Sequence, residues 1–339
     1  IKLPAPSIGG HPVPGGLALN DQENTIYVTL SRNNTLAVVD LAEKKVKEIP
    51  VGIAPYEVVL VTDSKAYVSN WGGRKPQEGE SSYNTSGSQV LVDPETGIAN
   101  NGSVSVVDLA ANAEVKNIEV GLHPSGMVMS PDGTRLFVAC ANSDIVTVIN
   151  TGTDEVVEEI SVHLKKDLPF GSGPNALTIS QDGKMLYVAN GTDNAICVIR
   201  VGAPSQVIGY IPTGWYPASV ILDEKTNFLY VANAKGSGSR NQRTDRAGYN
   251  SHDHMGSVSM IPLPDMAKLA ELTETVDRNN SFEHMMTASQ SGTEMKNKVP
   301  VPQVQSQESH FKHVVYIIKE NRTYDQVFGD MPQGNGDIN

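Results

Sequence analysis

The chain has 339 residues, 39% of them hydrophobic and 19% charged, with a formal net charge of -12. That composition suits an ordinary globular protein, and its acidity excludes nucleic acid as a partner of the molecule as a whole, since phosphate backbones are repelled. No apolar run reaches the roughly 18 residues that a membrane span needs.

From the N-terminus, one pattern recurs about every 40 residues. A Pro-containing turn leads into a short apolar strand, A, and a polar turn leads into a second, B, which carries an aromatic-Val pair. A Val-rich strand, C, ends near Asp, and a fourth, D, ends in Ile-x-Val-Gly. The aromatic-Val pairs are Tyr27-Val28, Tyr67-Val68, Phe137-Val138, Tyr187-Val188 and Tyr230-Val231. The C strands fall at 36–40, 104–108, 146–150, 196–200 and 258–262. Pro131-Asp132-Gly133 and Gln181-Asp182-Gly183 supply turns in which Gly tolerates positive φ. Five full four-stranded units are expected. Ile1-Lys2-Leu3 precedes a Pro turn much as Glu48-Ile49-Pro50-Val51 precedes Pro55, so it reads as the D strand of an earlier unit. The two cysteines, Cys140 and Cys197, fall inside strands and read as buried free thiols, with a disulfide as the alternative.

One four-stranded sheet cannot bury both faces alone, and radial stacking solves this. The fold class expected is therefore all-β, a β-propeller of four-stranded blades. Tyr27-Val28-Thr29 and Tyr187-Val188-Ala189-Asn190 carry a resemblance to YVTN-type β-propeller repeats, spanning residues 1–264. That resemblance implies a seven-bladed ring in the intact protein. A closed five-bladed ring is the alternative.

Departures from a repeat are where function tends to be grafted. The B–C connection is long in unit two, at 71–103, and in unit five, at 235–257; the D–A connection at 163–172 is also enlarged. In an up-and-down blade, B–C and D–A loops emerge on one face. Trp71, Arg74, Trp215, Tyr216, Arg240, Arg243, His252 and His254 all fall in these connections, together with Tyr56 and His123. Exposed aromatics and arginines are the raw material of binding sites, so this face is expected to bind a small molecule, a glycan or a protein. His252-Asp253-His254 offers zinc-type donors, although a solvated polar loop is the plainer reading. Arg240, Arg243, Arg246 and Lys235 either grip an anion or form a solvated charge run.

Beyond Pro264 the repeat stops. Met266, Leu269, Leu272 and Val276 recur at helical spacing, and Asp265 can cap a helix over 265–280. Residues 265–309 are thus a helix and a polar, Pro-containing linker. Residues 310–339 open with the apolar run 312–318, which predicts a strand buried on both faces, and Glu320-Asn321 follow it. A carboxylate and an amide oxygen at a strand's C-terminal end can bind a divalent cation.

The segment from His313 to Asp330, with Gly334-Asn335-Gly336-Asp337, resembles the opening of the bacterial phosphoesterase family that includes phospholipase C and acid phosphatase, in the alkaline-phosphatase-like superfamily. The resemblance implies an α/β domain, a divalent metal held in part by Glu320 and Asn321, and phosphoryl transfer through a metal-activated hydroxyl. It also implies an extracytoplasmic location. The family's nucleophile and later ligands would lie downstream of Asn339, so residues 1–339 alone are expected to be inactive. The alternative is a purely binding or scaffold propeller.

Overall fold

The computed structural model describes residues 1–20, 22, 24–165, 171–236, 238, 255–281, 298–302, 308–317 and 327–334. Blade one consists of β1 (Pro14–Asn20), β2 (Thr25–Leu30), β3 (Thr35–Asp40) and β4 (Lys45–Pro50). Blade two has β5 (Pro55–Thr62) and β6 (Lys65–Asn70), then an inserted hairpin, β7 (Ser82–Thr85) and β8 (Ser88–Leu91), before β9 (Gly102–Asp108) and β10 (Ala113–Val120). Blade three holds β11 (Pro124–Met129), β12 (Arg135–Cys140), β13 (Ile145–Asn150) and β14 (Glu155–Ser161). Blade four holds β15 (Pro174–Ile179), β16 (Met185–Asn190), β17 (Ala195–Arg200) and β18 (Gln206–Pro212). Blade five has β19 (Pro217–Asp223), β20 (Phe228–Asn233) and β21 (Ser257–Pro262).

Each sheet is an antiparallel meander, and the inserted hairpin stands apart as a sheet of its own. The first strand of every blade lies against the first strand of the next, so the blades follow one another around an axis. Apolar slabs between blades form the core: Tyr67, Val104 and Val106 of blade two meet Leu136, Val138 and Ile149 of blade three. This explains why the C strands are apolar on both faces, since a middle blade is sandwiched between two others. Polar bonds reinforce the inner edge. Thr29 Oγ1 donates to the Tyr56 carbonyl (2.9 Å), Ser69 Oγ to that of Ser125 (2.7 Å), and Asn175 Nδ2 to that of Pro217 (3.0 Å). Each crosses from one blade to the next. Cys140 and Cys197 are buried and unbridged, as the sequence suggested.

Three expectations change. Among the described residues blade five has three strands, because after β21 the chain passes Leu263-Pro264 into helix α1 (Met266–Asn279). Pro262 and Pro264 remove ladder donors, and Asp265 caps the helix by accepting from the Lys268 amide at 2.8 Å. The helix packs back on the propeller: Leu269 and Val276 are buried, and the Tyr210 amide donates to Thr273 Oγ1 at 2.9 Å. Ile1–Leu3 forms no strand; Leu3 instead joins the apolar cluster around Val28 and Leu30, beside prolines that cannot donate. Residues 313–317 form no strand either, and Val314, Val315 and Tyr316 are more than four-fifths exposed. No described strand lies beside them to share a ladder or bury them.

The five blades form an arc rather than a closed ring: among the described residues, β19 has no extensive packing against β1. Leu17 in blade one and Val258 and Met260 in blade five are exposed, whereas their register equivalents Val58, Val146 and Val148 in middle blades are buried.

Candidate functional site: the loop-rich face

The turns that build this face share one geometry. The residue before each blade's first proline has positive φ: Val13 (51°), Ala54 (51°), His123 (50°), Gly173 (59°) and Tyr216 (55°). Most side chains avoid that conformation, and at three of the five positions a bond from the preceding B–C turn holds it. Asn34 Oδ1 accepts from the Ala54 amide, Asp144 Oδ1 from that of Gly173 and Asn194 Oδ1 from that of Tyr216, each at 2.9 Å. B–C and D–A turns are thereby locked together on one side of the propeller. Beneath them sit the asparagines that end strand B. Asn70 Nδ2 donates to Ser105 Oγ (2.8 Å) and Asn233 Nδ2 to Ser259 Oγ (2.9 Å).

This scaffold carries the exposed aromatic residues. Trp71 lies against His123, ring centroids 4.8 Å apart and planes tilted by 43°. The Trp71 amide donates to the Ala54 carbonyl, which ties the start of the blade-two insertion to the neighbouring D–A turn. Tyr56, Trp71, Trp215 and Tyr216 are each between 38% and 51% exposed, unusual for such large side chains. Lys235 Nζ stands 5.6 Å from the centre of the Tyr216 ring. Arg74 is engaged within the insertion: its guanidinium clasps Glu80 through two bonds of 2.8 and 2.6 Å. The hairpin β7–β8 leans over blade one, where Asn34 Nδ2 donates to Ser88 Oγ.

Several titratable groups here are shifted by burial. Desolvation raises the Tyr56 phenol, with Glu57 and Tyr216 adding to it, and desolvation raises the Glu57 carboxyl. Burial lowers the His123 imidazole, favouring its neutral form. The Asp193 carboxyl is pushed up to about 6 by burial, against opposing hydrogen bonds from Ser172 and Asn190. Clusters of this kind mark functional clefts more often than chance.

The structure therefore brings Trp71, Arg74, Trp215 and Tyr216 to the same face as Tyr56 and His123. Arg240, Arg243, His252 and His254 lie outside the described residues, as do Glu320 and Asn321. Glu57 and Asp193 were not singled out from sequence. Nor was the pair formed by His163 and the fully buried Asp144, whose Nε2 and Oδ2 lie 3.5 Å apart. A signal existed for that pair. Asp144 stands where the repeat has Asn34 and Asn194, and His163 where it has Gly52, Gly121 and Gly214. Among the described residues, no group of three or more His, Cys, Asp or Glu side chains is placed to hold a metal.

Residues 108–247 match the family model described as lactonase, 7-bladed β-propeller. With the meandering four-stranded sheets, that match decides the architecture. The fold is an all-β propeller. A 119-residue stretch is 36% identical to Antigen Lp49 of Leptospira interrogans, covering 34% of this chain and 23% of that protein. The match thus spans about a quarter of that relative's length. Among solved structures, hydrazine synthase from Kuenenia stuttgartiensis aligns with a TM-score of 0.33 and 18% identity, over 66% of this chain and 93% of that one. A protein of unknown function from Desulfotomaculum acetoxidans aligns with a TM-score of 0.48 and 14% identity, over 64% of this chain and 62% of that one. No described helix is long and apolar enough to cross a membrane.

Proposed function

We propose that this propeller is a ligand-binding module that works outside the cytoplasm as part of a metal-dependent phosphoesterase, its loop-rich face presenting a ligand to the catalytic domain. The observation that carries the binding role is the exposure of Tyr56, Trp71, Trp215 and Tyr216 along the elaborated face, with Trp71 against His123. The phosphoesterase role is supported by the sequence from His313 to Asp337, with Glu320 and Asn321 as metal ligands. Two oxygen donors are fewer than the four to eight that zinc or calcium requires, so the remaining ligands must come from elsewhere in the parent protein. The metal would supply charge stabilisation to phosphoryl transfer.

The binding role is tested by thermal-shift screening of residues 1–339 against glycans and phosphoesters, with Trp71→Ala and Trp215→Ala as controls. A stabilising ligand whose effect both substitutions remove is expected; a hit indifferent to both overturns the assignment of this face. The catalytic role is tested with bis(p-nitrophenyl) phosphate. A parent protein extending beyond Asn339 should hydrolyse it in a metal-dependent way that Glu320→Ala abolishes, while residues 1–339 stay inactive. Turnover of a lactone by residues 1–339 would instead favour a second reading, a propeller enzyme, to which the match over 108–247 points.

A further inference from the structure

We infer that a cavity beside Trp215 is a subsite for a single uncharged sugar ring, an inference that rests on the reading of this face as the ligand-binding surface. The cavity has a volume of about 260 Å³ and lies between the blade-four B–C turn, the D–A turn that follows β18, and the C-terminal end of α1. Its walls are Asp193, Asn194, Thr213, Trp215, Asn279 and Asn280, with Val276 at the base.

The chemistry of the walls selects the ligand. The half-exposed indole of Trp215 offers a flat apolar surface whose electron-rich face attracts the polarised C–H groups of a pyranose. Around it the polar atoms are already oriented by the fold. Asn194 spends its Oδ1 on the Tyr216 amide, which points its Nδ2 elsewhere as a donor. Asn280 spends its Nδ2 on the carbonyls of Asp193 and Val276, which leaves its Oδ1 as an acceptor. Thr213 Oγ1 donates to the Gly214 carbonyl and keeps its lone pairs. Fixed donors and fixed acceptors side by side suit hydroxyl groups, which both give and take hydrogen bonds.

Charged ligands fit less well. Among the described residues neither Lys nor Arg lines the cavity, and the carbonyl end of α1 points its negative dipole there, so an anion is disfavoured. For a cation, the one aromatic ring among the described walls gives no cage, and the Asp193 carboxylate already accepts from Asn190 Nδ2 at 2.9 Å. The helix that closes this cavity is the element that replaces the fourth strand of blade five, so the subsite exists because the repeat breaks there.

The chain has only two tryptophans, so each can be isolated as a reporter. In Trp71→Phe protein, the emission of Trp215 is followed while glucose, galactose, mannose and N-acetylglucosamine are added, with inorganic phosphate and choline as charged comparators. A saturable change with at least one sugar is expected at millimolar concentration, and Thr213→Val or Asn279→Ala should weaken it by about 3–10-fold, as loss of one hydrogen bond does. Silence toward every sugar overturns the inference, as does a response to phosphate or choline alone. The same titrations in Trp215→Phe protein separate the two ideas. A Trp71 response, or a charged ligand at Trp215, leaves the binding face standing without the sugar subsite, whereas silence of both tryptophans removes the support for both.

Discussion

The two faces of this propeller treat their acidic groups in opposite ways. On the tight-turn face, Asp132 sits in solvent and accepts from Ser130 Oγ (2.6 Å), the Thr134 amide (3.0 Å) and Thr134 Oγ1 (2.9 Å), which together hold its carboxyl down at about 2. Asp182 and Asp223 repeat the arrangement, and both are lowered for the same reason. On the loop-rich face, burial dominates and raises Glu57 and Asp193. The exceptions there, Glu80 and Asp93, are the lowered acids that fold the blade-two insertion. A carboxylate that only shapes a turn is best left wet and bonded to donors. One that is desolvated costs stability, and such costs persist where a site needs the group.

Glycine substitution gives the largest expected contrast. A Cβ on Gly52, in a D–A turn of the loop-rich face, would lie 2.4 Å from Asn70 Cγ and 2.7 Å from the Gly73 carbonyl oxygen. Gly52→Ala must therefore displace the buried asparagine that ties β6 to β9, and should destabilise the protein by about 2–4 kcal/mol in urea unfolding. On the tight face, a Cβ on Gly133 meets nothing within 4 Å, but the residue has a φ of +71°. Gly133→Ala should then cost only the backbone term, about 1 kcal/mol. Equal losses at the two sites would mean that the D–A turns are as free to relax as the hairpins.

The same two glycines show what was legible in advance. The repeat, its turns and the face carrying the long connections follow from periodicity, because a strand buried between two blades must be apolar and a tight turn must have Gly or Asp at set offsets. The helix was readable from Asp265 and the spacing of Leu269 and Val276. Its docking site was not, since nothing local marks Gly209 as the point where a Cβ would strike Leu269 and Thr273. Nor does sequence separate Asp193 from Asp182: both lie in polar turns, and only the three-dimensional cover over blade four distinguishes a desolvated acid from a wet one. The run 312–318 misled for a related reason, as apolar residues predict burial only where a partner surface exists.

Replacing each acid by its amide should move stability in opposite directions. Asp193 has a folded-state value of about 6, above its ordinary 3.8, so the folded protein binds more protons than the unfolded one between those values. Stability attributable to Asp193 therefore falls as pH rises through that window, and the full cost is present above about pH 6. Asp193→Asn should stabilise the protein by about 1–3 kcal/mol at pH 7.5 and make little difference near pH 4. Asp132 is lowered, so its contribution is present above its unfolded value and is lost on acidification. Asp132→Asn should weaken the protein at neutral pH, an effect that fades as pH falls from about 4 through about 2. Chemical unfolding of both variants at several pH values checks the pair, and a loss of stability in Asp193→Asn at pH 7.5 would show that its bonds to Ser172 and Asn190 outweigh its burial.

The finest contrast is spectroscopic and belongs to the loop-rich face alone. His123 lies 4.8 Å from Trp71, and its imidazole is lowered by burial, with a hydrogen bond to Asn142 acting the other way. A protonated imidazole quenches a neighbouring indole far more than a neutral one. In Trp215→Phe protein, the emission of Trp71 should drop on acidification with a midpoint below the ordinary histidine value of about 6.5. His123→Gln should abolish that step. A ligand seated over Trp71 would bury the imidazole further and push the midpoint lower still, whereas an anionic ligand would pull it up by pairing with the charged ring. The direction of that shift, read in the presence of each ligand found by screening, reports whether what this face holds over Trp71 is neutral or negatively charged.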